Sequence, residues 1–179
     1  DIGIVFALLN ANAAAASIPT TNPVSRGTII PRLVGSATVS EALAHAAALQ
    51  VDRFQPFTLL LFDRYQLAEC WPDGNRLRHR RSFLHSAVMR TSSGLGDAIV
   101  TGPRRRLFRR FFDAPRDPIR AQDLFHQHRW PGREAISVNM QRPDARTVSH
   151  TVIEIGLETI AVSYRATNAA QPVVVQVAA

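Results

Sequence analysis

Lysine is absent: all 21 basic residues are arginine, set against 14 carboxylates, for a formal net charge of +7. Such a balance admits partners that carry phosphate or carboxylate. Nucleic acid is the disfavoured partner, because the arginines are spread along much of the chain and clustering, rather than total charge, is its signal. Cysteine is nearly absent too. The single Cys70 excludes an internal disulfide, so the framework of a small secreted domain is missing and a reducing compartment, the cytoplasm, is expected. No apolar stretch approaches the roughly 20 residues that span a bilayer, and the densest runs, residues 2–9 and Phe57–Phe62, have strand length. The chain opens on Asp1, without Met or a basic region, and enters the first apolar run at once. That is not signal-peptide order, and the chain reads as one entered mid-fold.

What is present is globular in composition. With 179 residues, 46% hydrophobic and 20% charged, the chain can bury roughly two-thirds of its extended surface in one core. Residues 2–9 have the apolar density of a central strand buried on both faces, followed by the small-residue segment 11–17. Thr38-Val39-Ser40-Glu41 has capping-box spacing, and Val39, Leu43, Ala46, Ala47 and Leu49 behind it predict a helix over 38–50. Two apolar runs, Phe57–Phe62 and residues 67–71, then Pro72-Asp73-Gly74-Asn75 and residues 76–80, predict a meander of short antiparallel strands. Pro103 is taken as a first-turn proline of an amphipathic helix with Leu107, Phe108, Phe111 and Phe112 inward. A second helix over 117–128 points Leu124 and Phe125 inward. Residues 136–140, 147–155 and 159–164 are β-rich runs, so the order strands, helices, strands predicts an α+β fold of layered sheets with covering helices.

Several stretches together carry a family likeness: Gly3-Ile4-Val5-Phe6-Ala7-Leu8-Leu9-Asn10, Ser25-Arg26-Gly27, Phe54-Gln55-Pro56-Phe57-Thr58-Leu59, Thr91-Ser92-Ser93-Gly94-Leu95-Gly96-Asp97 and the run 137–149. In that order they resemble bacterial NRDE-family proteins, related to the transport and Golgi organisation proteins of eukaryotes, over residues 1–165. The resemblance implies an αββα-type fold of layered antiparallel sheets, like that of N-terminal-nucleophile hydrolases. It implies a single domain over 1–166 that lacks its N-terminal strands, and a tail, 167–179, able to form an edge strand. In such hydrolases an N-terminal Cys attacks an amide and its own α-amine, with a reference pKa near 8, serves as base. Neither that Cys nor an Asn-Arg-Asp-Glu motif occurs in this sequence, and both would lie upstream of Asp1. Cys70, in a predicted strand with no α-amine beside it, reads as an ordinary packed cysteine.

Asn10, at the end of a strand, resembles the oxyanion-donating Asn of choloylglycine hydrolases; alternatively it starts a turn. Ser92 and Ser93 could supply donors at the same cleft or cap the following helix. Ser25 and Arg26 could grip a carboxylate or phosphate or belong to a surface loop. Asn139, Arg142 and Asp144 form a polar cluster that binds a ligand or stabilises a turn. Arg104, Arg105, Arg106, Arg109 and Arg110 read as a solvated helix face. His126 and His128 stand two apart on a predicted helix and so point to different sides, and His45, His79, His85 and His150 are dispersed, so neither a metal site nor a cofactor is expected. Two functions stay open: a cysteine amidohydrolase acting on non-peptide C–N bonds in the complete protein, with this chain inactive for want of the nucleophile, and a non-catalytic binding or trafficking protein for haem or acyl-lipid ligands. A sheet edge left bare by missing strands would invite a homodimer.

Overall fold

The computed structural model describes residues 3–11, 23–156, 158–167 and 171–178. The chain is an α+β protein with two antiparallel sheets and four α-helices, and it divides into two compact units, Asp1–Asp97 and Ala98–Ala179. Among the described residues no helix is long and apolar enough to cross a membrane.

In the first unit β1 (Val5–Asn10), β2 (Phe57–Phe62), β3 (Gln66–Asp73) and β4 (Arg76–Phe83) form one antiparallel sheet in sequence order. The register sets Leu59 opposite Cys70 and Leu61 opposite Ala68. Since side chains alternate across a strand, Phe57, Leu59, Leu61, Ala68 and Cys70 share one face. Helices α1 (Ile29–Leu33) and α2 (Val39–Ala47) contribute Ile29, Leu33, Val39, Ala42 and Ala46 to the same cluster, which Val51 and Phe54 complete. Each large side chain buried there contributes about 1.5–3 kcal/mol. Local chemistry sets the boundaries. Thr38 Oγ1 accepts from the Glu41 N–H at 3.1 Å, and the Glu41 carboxylate reaches back to the Ala37 N–H at 2.7 Å, one residue before the cap. Asp63 Oδ1 accepts from the Tyr65 and Gln66 N–H groups, turning β2 into β3. Gly74, at φ +62°, makes the tight turn from β3 to β4, a left-handed conformation that costs glycine nothing.

One expectation for this unit changes. The strand expected at the centre is the edge of the four-stranded order, starts at Val5, and has only Val5 buried. Its apolar density serves packing instead: Ile4, Phe6 and Leu8, partly buried, pack against the core. Asp1, Ile2 and most of the small-residue segment lie outside the described residues.

The second unit contains α3 (Asp97–Phe112, entered from the last residue of the first), α4 (Pro118–Gln127), and β5 (Ser149–Ile155), β6 (Thr159–Ala166) and β7 (Val173–Ala178), paired in that order. Phe108 stacks on Phe112 at 4.5 Å, and Phe125 meets both edge-on. Four corrections apply here. Pro103 lies inside α3, not in its first turn, because the helix starts at Asp97. Arg104 is 8% exposed rather than solvated: its guanidinium donates to the carbonyls of Ile136 (3.1 Å) and Ser137 (2.7 Å), and only Arg105, Arg106, Arg109 and Arg110 face solvent. Leu124 is 47% exposed, while Phe125 and Ala121 form the inner side of α4, whose start Asp117 caps by accepting from the Arg120 N–H. Residues 136–140 are no strand. A 3-10 turn (Glu134–Ile136) leads into an irregular loop whose amides bond backwards, Asn139 N–H to the His128 carbonyl and Gln141 N–H to that of Glu134.

Candidate functional site

Three of the residues singled out from the sequence gather at one end of the first sheet. Asn10 ends β1, exposed, opposite Phe57. Beside it the Pro56 carbonyl accepts two bonds, from the Ala11 N–H at 3.1 Å and from Arg26 Nη1 at 2.8 Å. Ser25 caps a 3-10 turn, its hydroxyl accepting from the Gly27 N–H and its carbonyl from Thr28. Arg26 thus braces a strand end with at least one guanidinium nitrogen. Ser93 belongs to the turn that starts α3: its N–H donates to Asp97 Oδ1 at 2.8 Å and its hydroxyl accepts from the Leu95 N–H. The loop therefore caps the helix at Asp97 instead of Pro103, and Ser92 sits half-buried in the same loop.

A charged cluster that no local pattern announces lies on the other face of that sheet. Glu69 is 5% exposed, yet two arginines hold it: Arg80 Nη2 and Arg90 Nη2 each donate at 2.7 Å, and Arg90 Nε donates to its second oxygen. The Arg90 bond, above all, holds the carboxyl down at about 2 against the opposing effect of burial. Next along β3, burial pushes the Cys70 thiol up to about 12. A thiol so fully protonated is no nucleophile at neutral pH.

Three cavities lined by described residues lie in the second unit, around the loop that follows α4. Arg129 is held flat by neutral acceptors: Nε and Nη2 donate to the carbonyl and side-chain oxygens of Asn139, both at 3.2 Å, and Nη1 to Gln141 Oε1 at 2.8 Å. Those neutral acceptors fix the guanidinium plane; the carboxylate that acts on its charge is Glu134, which backbone N–H bonds and then Arg129 hold below its ordinary value. Arg142 differs. Its Nε lies 3.2 Å from Asp144 Oδ1, without hydrogen-bond geometry, and its side chain is 13% exposed, so it belongs to a neutralised turn. The Arg142 N–H to Ala145 carbonyl bond (2.7 Å) closes that turn, and Thr147 Oγ1 accepts from the Met140 N–H at 2.9 Å. Arg104 and Ser137 fasten the loop's start, the Ser137 hydroxyl accepting from the Trp130 N–H and donating to the Arg133 carbonyl.

A cavity of about 320 Å³ results, lined by Arg129, Gln141, Arg146, Thr147, Val148 and Thr167. Its described lining residues include two guanidinium groups and no carboxylate. A more open depression of about 560 Å³ shares Arg129 and Gln141 and adds Glu134 and Arg142. Behind Thr147 and Thr167 a third, of about 280 Å³, is lined by His126, Asn139, Ser149, His150 and Arg165 among others.

Of the residues singled out, Asn139 therefore reaches a cavity as a positioning group for Arg129, and Arg142 lines the depression. Asn10, Ser25, Arg26, Ser92 and Ser93 belong to the first unit. Sequence reasoning missed Arg129, Arg146, Arg165 and the two histidines. Gln141, Arg146 and Thr147 stand inside the run 137–149 already noted, so their clustering was the available signal. His150, expected to stand apart from the other histidines, stacks on His126 at 4.5 Å. Among the described residues no three side chains of metal-ligating type converge. No family model, curated protein or solved structure matches the chain.

Proposed function

We propose that the chain is a binding module for a small organic anion whose carboxylate or phosphate sits between Arg129 and Arg146. One observation carries this reading: two guanidinium groups line a cavity with no carboxylate among its described lining residues, and one of them is already oriented by Asn139 and Gln141. A fork of donors fixed before binding loses little entropy on taking an oxyanion. The volume is at the lower end for ligand sites, so it suits a head group, with Val148, 63% exposed, offering apolar surface to the remainder. Haem propionates and the phosphates of an acyl-CoA are the head groups to try. The NRDE resemblance, and the αββα layering it implies, belong to the same reading. Titration of haem, an acyl-CoA and a DNA duplex, followed by calorimetry, tests it. Arg129→Ala with Arg146→Ala should weaken one of the first two at least tenfold; unchanged affinity sinks the reading, and duplex binding that falls steeply with log salt would replace it.

A second reading is favoured by Asn10, exposed at a strand end with Arg26 anchored beside it. The complete protein is then a cysteine N-terminal-nucleophile amidohydrolase cutting non-peptide C–N bonds, with Asn10 donating to the oxyanion, a contribution of about 3 kcal/mol to the transition state. Its thiolate and α-amine come from a cysteine this sequence does not contain. Amide turnover by a version extended upstream to Met-Cys, lost in Asn10→Ala and absent from the present chain, is the expected result; turnover by the present chain that survives Cys70→Ala is the opposite one.

A further inference from the structure

We infer that the pocket framed by His126, His150 and Arg165 is a second oxyanion site, taking a tetrahedral dianion of phosphate or sulfate type together with protons. It goes beyond the reading above, because none of these side chains lines the Arg129 cavity. The two sites stand on either side of one wall, where the Thr167 N–H donates to the Val148 carbonyl and the Thr167 hydroxyl to that of Thr147, at 2.9 and 2.8 Å.

The geometry starts with three elements. His126 comes from α4 and His150 from β5, ring planes 26° apart and centroids at 4.5 Å. Arg165, on β6, is the ladder partner of His150, so the two side chains stand next to each other on one face of the sheet. Asn139 and Ser149 complete the lining with an amide and a hydroxyl. His150 Nε2 is shut away from solvent and makes no hydrogen bond to any described residue. A buried polar atom in that condition is costly, and an oxyanion would satisfy it.

Charge decides the kind of ligand. Among the described residues, the charged and titratable groups that act on the pair are Asp123 on α4 and Arg165 on β6, and no carboxylate lines the pocket. Neutral imidazoles stack without electrostatic cost. Once both are protonated, three cations face one carboxylate, an excess of two charges that a dianion cancels. His126 is exposed as a residue, but its ring lies against His150 and Phe125. Burial holds both imidazoles below their ordinary 6.5; His150 adds to the effect on His126 and Arg165 to that on His150, while Asp123 opposes both. An anion reverses that bias, so binding and proton uptake are linked, and affinity rises about tenfold per pH unit for each proton taken up.

Sulfate is the probe, since it stays a dianion across the range. Calorimetric titration of the whole chain from pH 8 to 5.5, in buffers of different ionisation enthalpy, should show one site whose affinity climbs at least tenfold and which takes up protons. His150→Asn should flatten that climb to the slope of the one remaining imidazole, and Arg165→Gln should weaken sulfate binding across the whole range, whereas the Arg129→Ala, Arg146→Ala chain should keep both the affinity and the climb. Glycerol phosphate set against sulfate tells a phosphoryl group of a larger molecule from a free oxyanion, and tighter binding of either is consistent with the site. Should His150→Asn disturb folding, the imidazole carbon-bound proton shifts of the unaltered chain give a second readout: sulfate should move those of His126 and His150. Affinity independent of pH, rings that ignore sulfate, or a climb that vanishes only in the Arg129→Ala, Arg146→Ala chain would overturn the inference, the last while leaving the Arg129 reading intact.

Discussion

Phe57, Leu59, Leu61 and Cys70 in the first unit sit at 0% exposure in one apolar cluster, whereas the second unit buries Leu107 and Phe125 beside a guanidinium, Arg104, that holds up the carbonyls of a loop. Apolar burial is non-directional, so a sheet covered by helices accepts many side chains of suitable volume. Guanidinium-to-carbonyl bonds are directional. They hold an irregular backbone in one conformation, which is what the stretch from Arg129 to Thr147 needs in order to present donors to a cavity. The first unit is held by apolar packing, and the proposed anion site in the second rests on directional bonds.

The strongest way to break this contrast is to empty the first core. Phe57→Ala should cost about 3–5 kcal/mol in urea unfolding, the range for an aromatic lost from a packed interior; a loss under 1 kcal/mol would mean that the cluster does not hold the unit. Arg104→Met, which keeps the stem and removes the donors, should cost about 2–3 kcal/mol and shift NMR signals mainly near Ile136 and Ser137. Changes spread evenly over the chain would show that Arg104 does not hold the loop in particular.

Acid should separate the units by pH window. His126 and His150 are held below 6.5, so their contribution is whole above 6.5 and fades as pH falls through their lowered values. Glu69, lowered from 4.5 to about 2, contributes fully above 4.5 and loses its part only between those values. Amide exchange at pH 7, 5.5 and 3.5 should therefore show the second unit loosening first; a first unit that opens at pH 5.5 refutes the order. The smallest effect belongs to a cap. Thr38→Ala should cost about 1 kcal/mol and fray only the start of α2.

Legibility followed the range of the interaction. Thr38 with Glu41, Gly74 in its turn and the β2 run are local signals, and each stands where its neighbours in sequence place it. Pro103 misled because a Gly-Pro pair punctuates most sequences, while here α3 packs through Val100 and Leu107 on both sides of it. Arg104 was invisible for a different reason: among arginines in a row, only the tertiary partner decides which one is buried. Asn139 and Arg142 could be picked out as a polar cluster, but Arg129, which makes Asn139 useful, lies ten residues upstream and meets it through backbone that pairs with no strand. His126 and His150 join α4 to β5, a distance along the chain that no spacing rule covers.

Cys70 is the only thiol in the chain, buried on the sheet face that α1 and α2 cover, its thiol pushed up to about 12. A thiol reagent cannot reach it until that helical cover lifts, and disulfide exchange needs a thiolate that the closed core does not supply. Labelling with such a reagent is therefore a clock wired to one event. When reclosing outruns the chemistry, the rate reads the fraction of time that this core stands open, whatever the loops around Arg129 are doing.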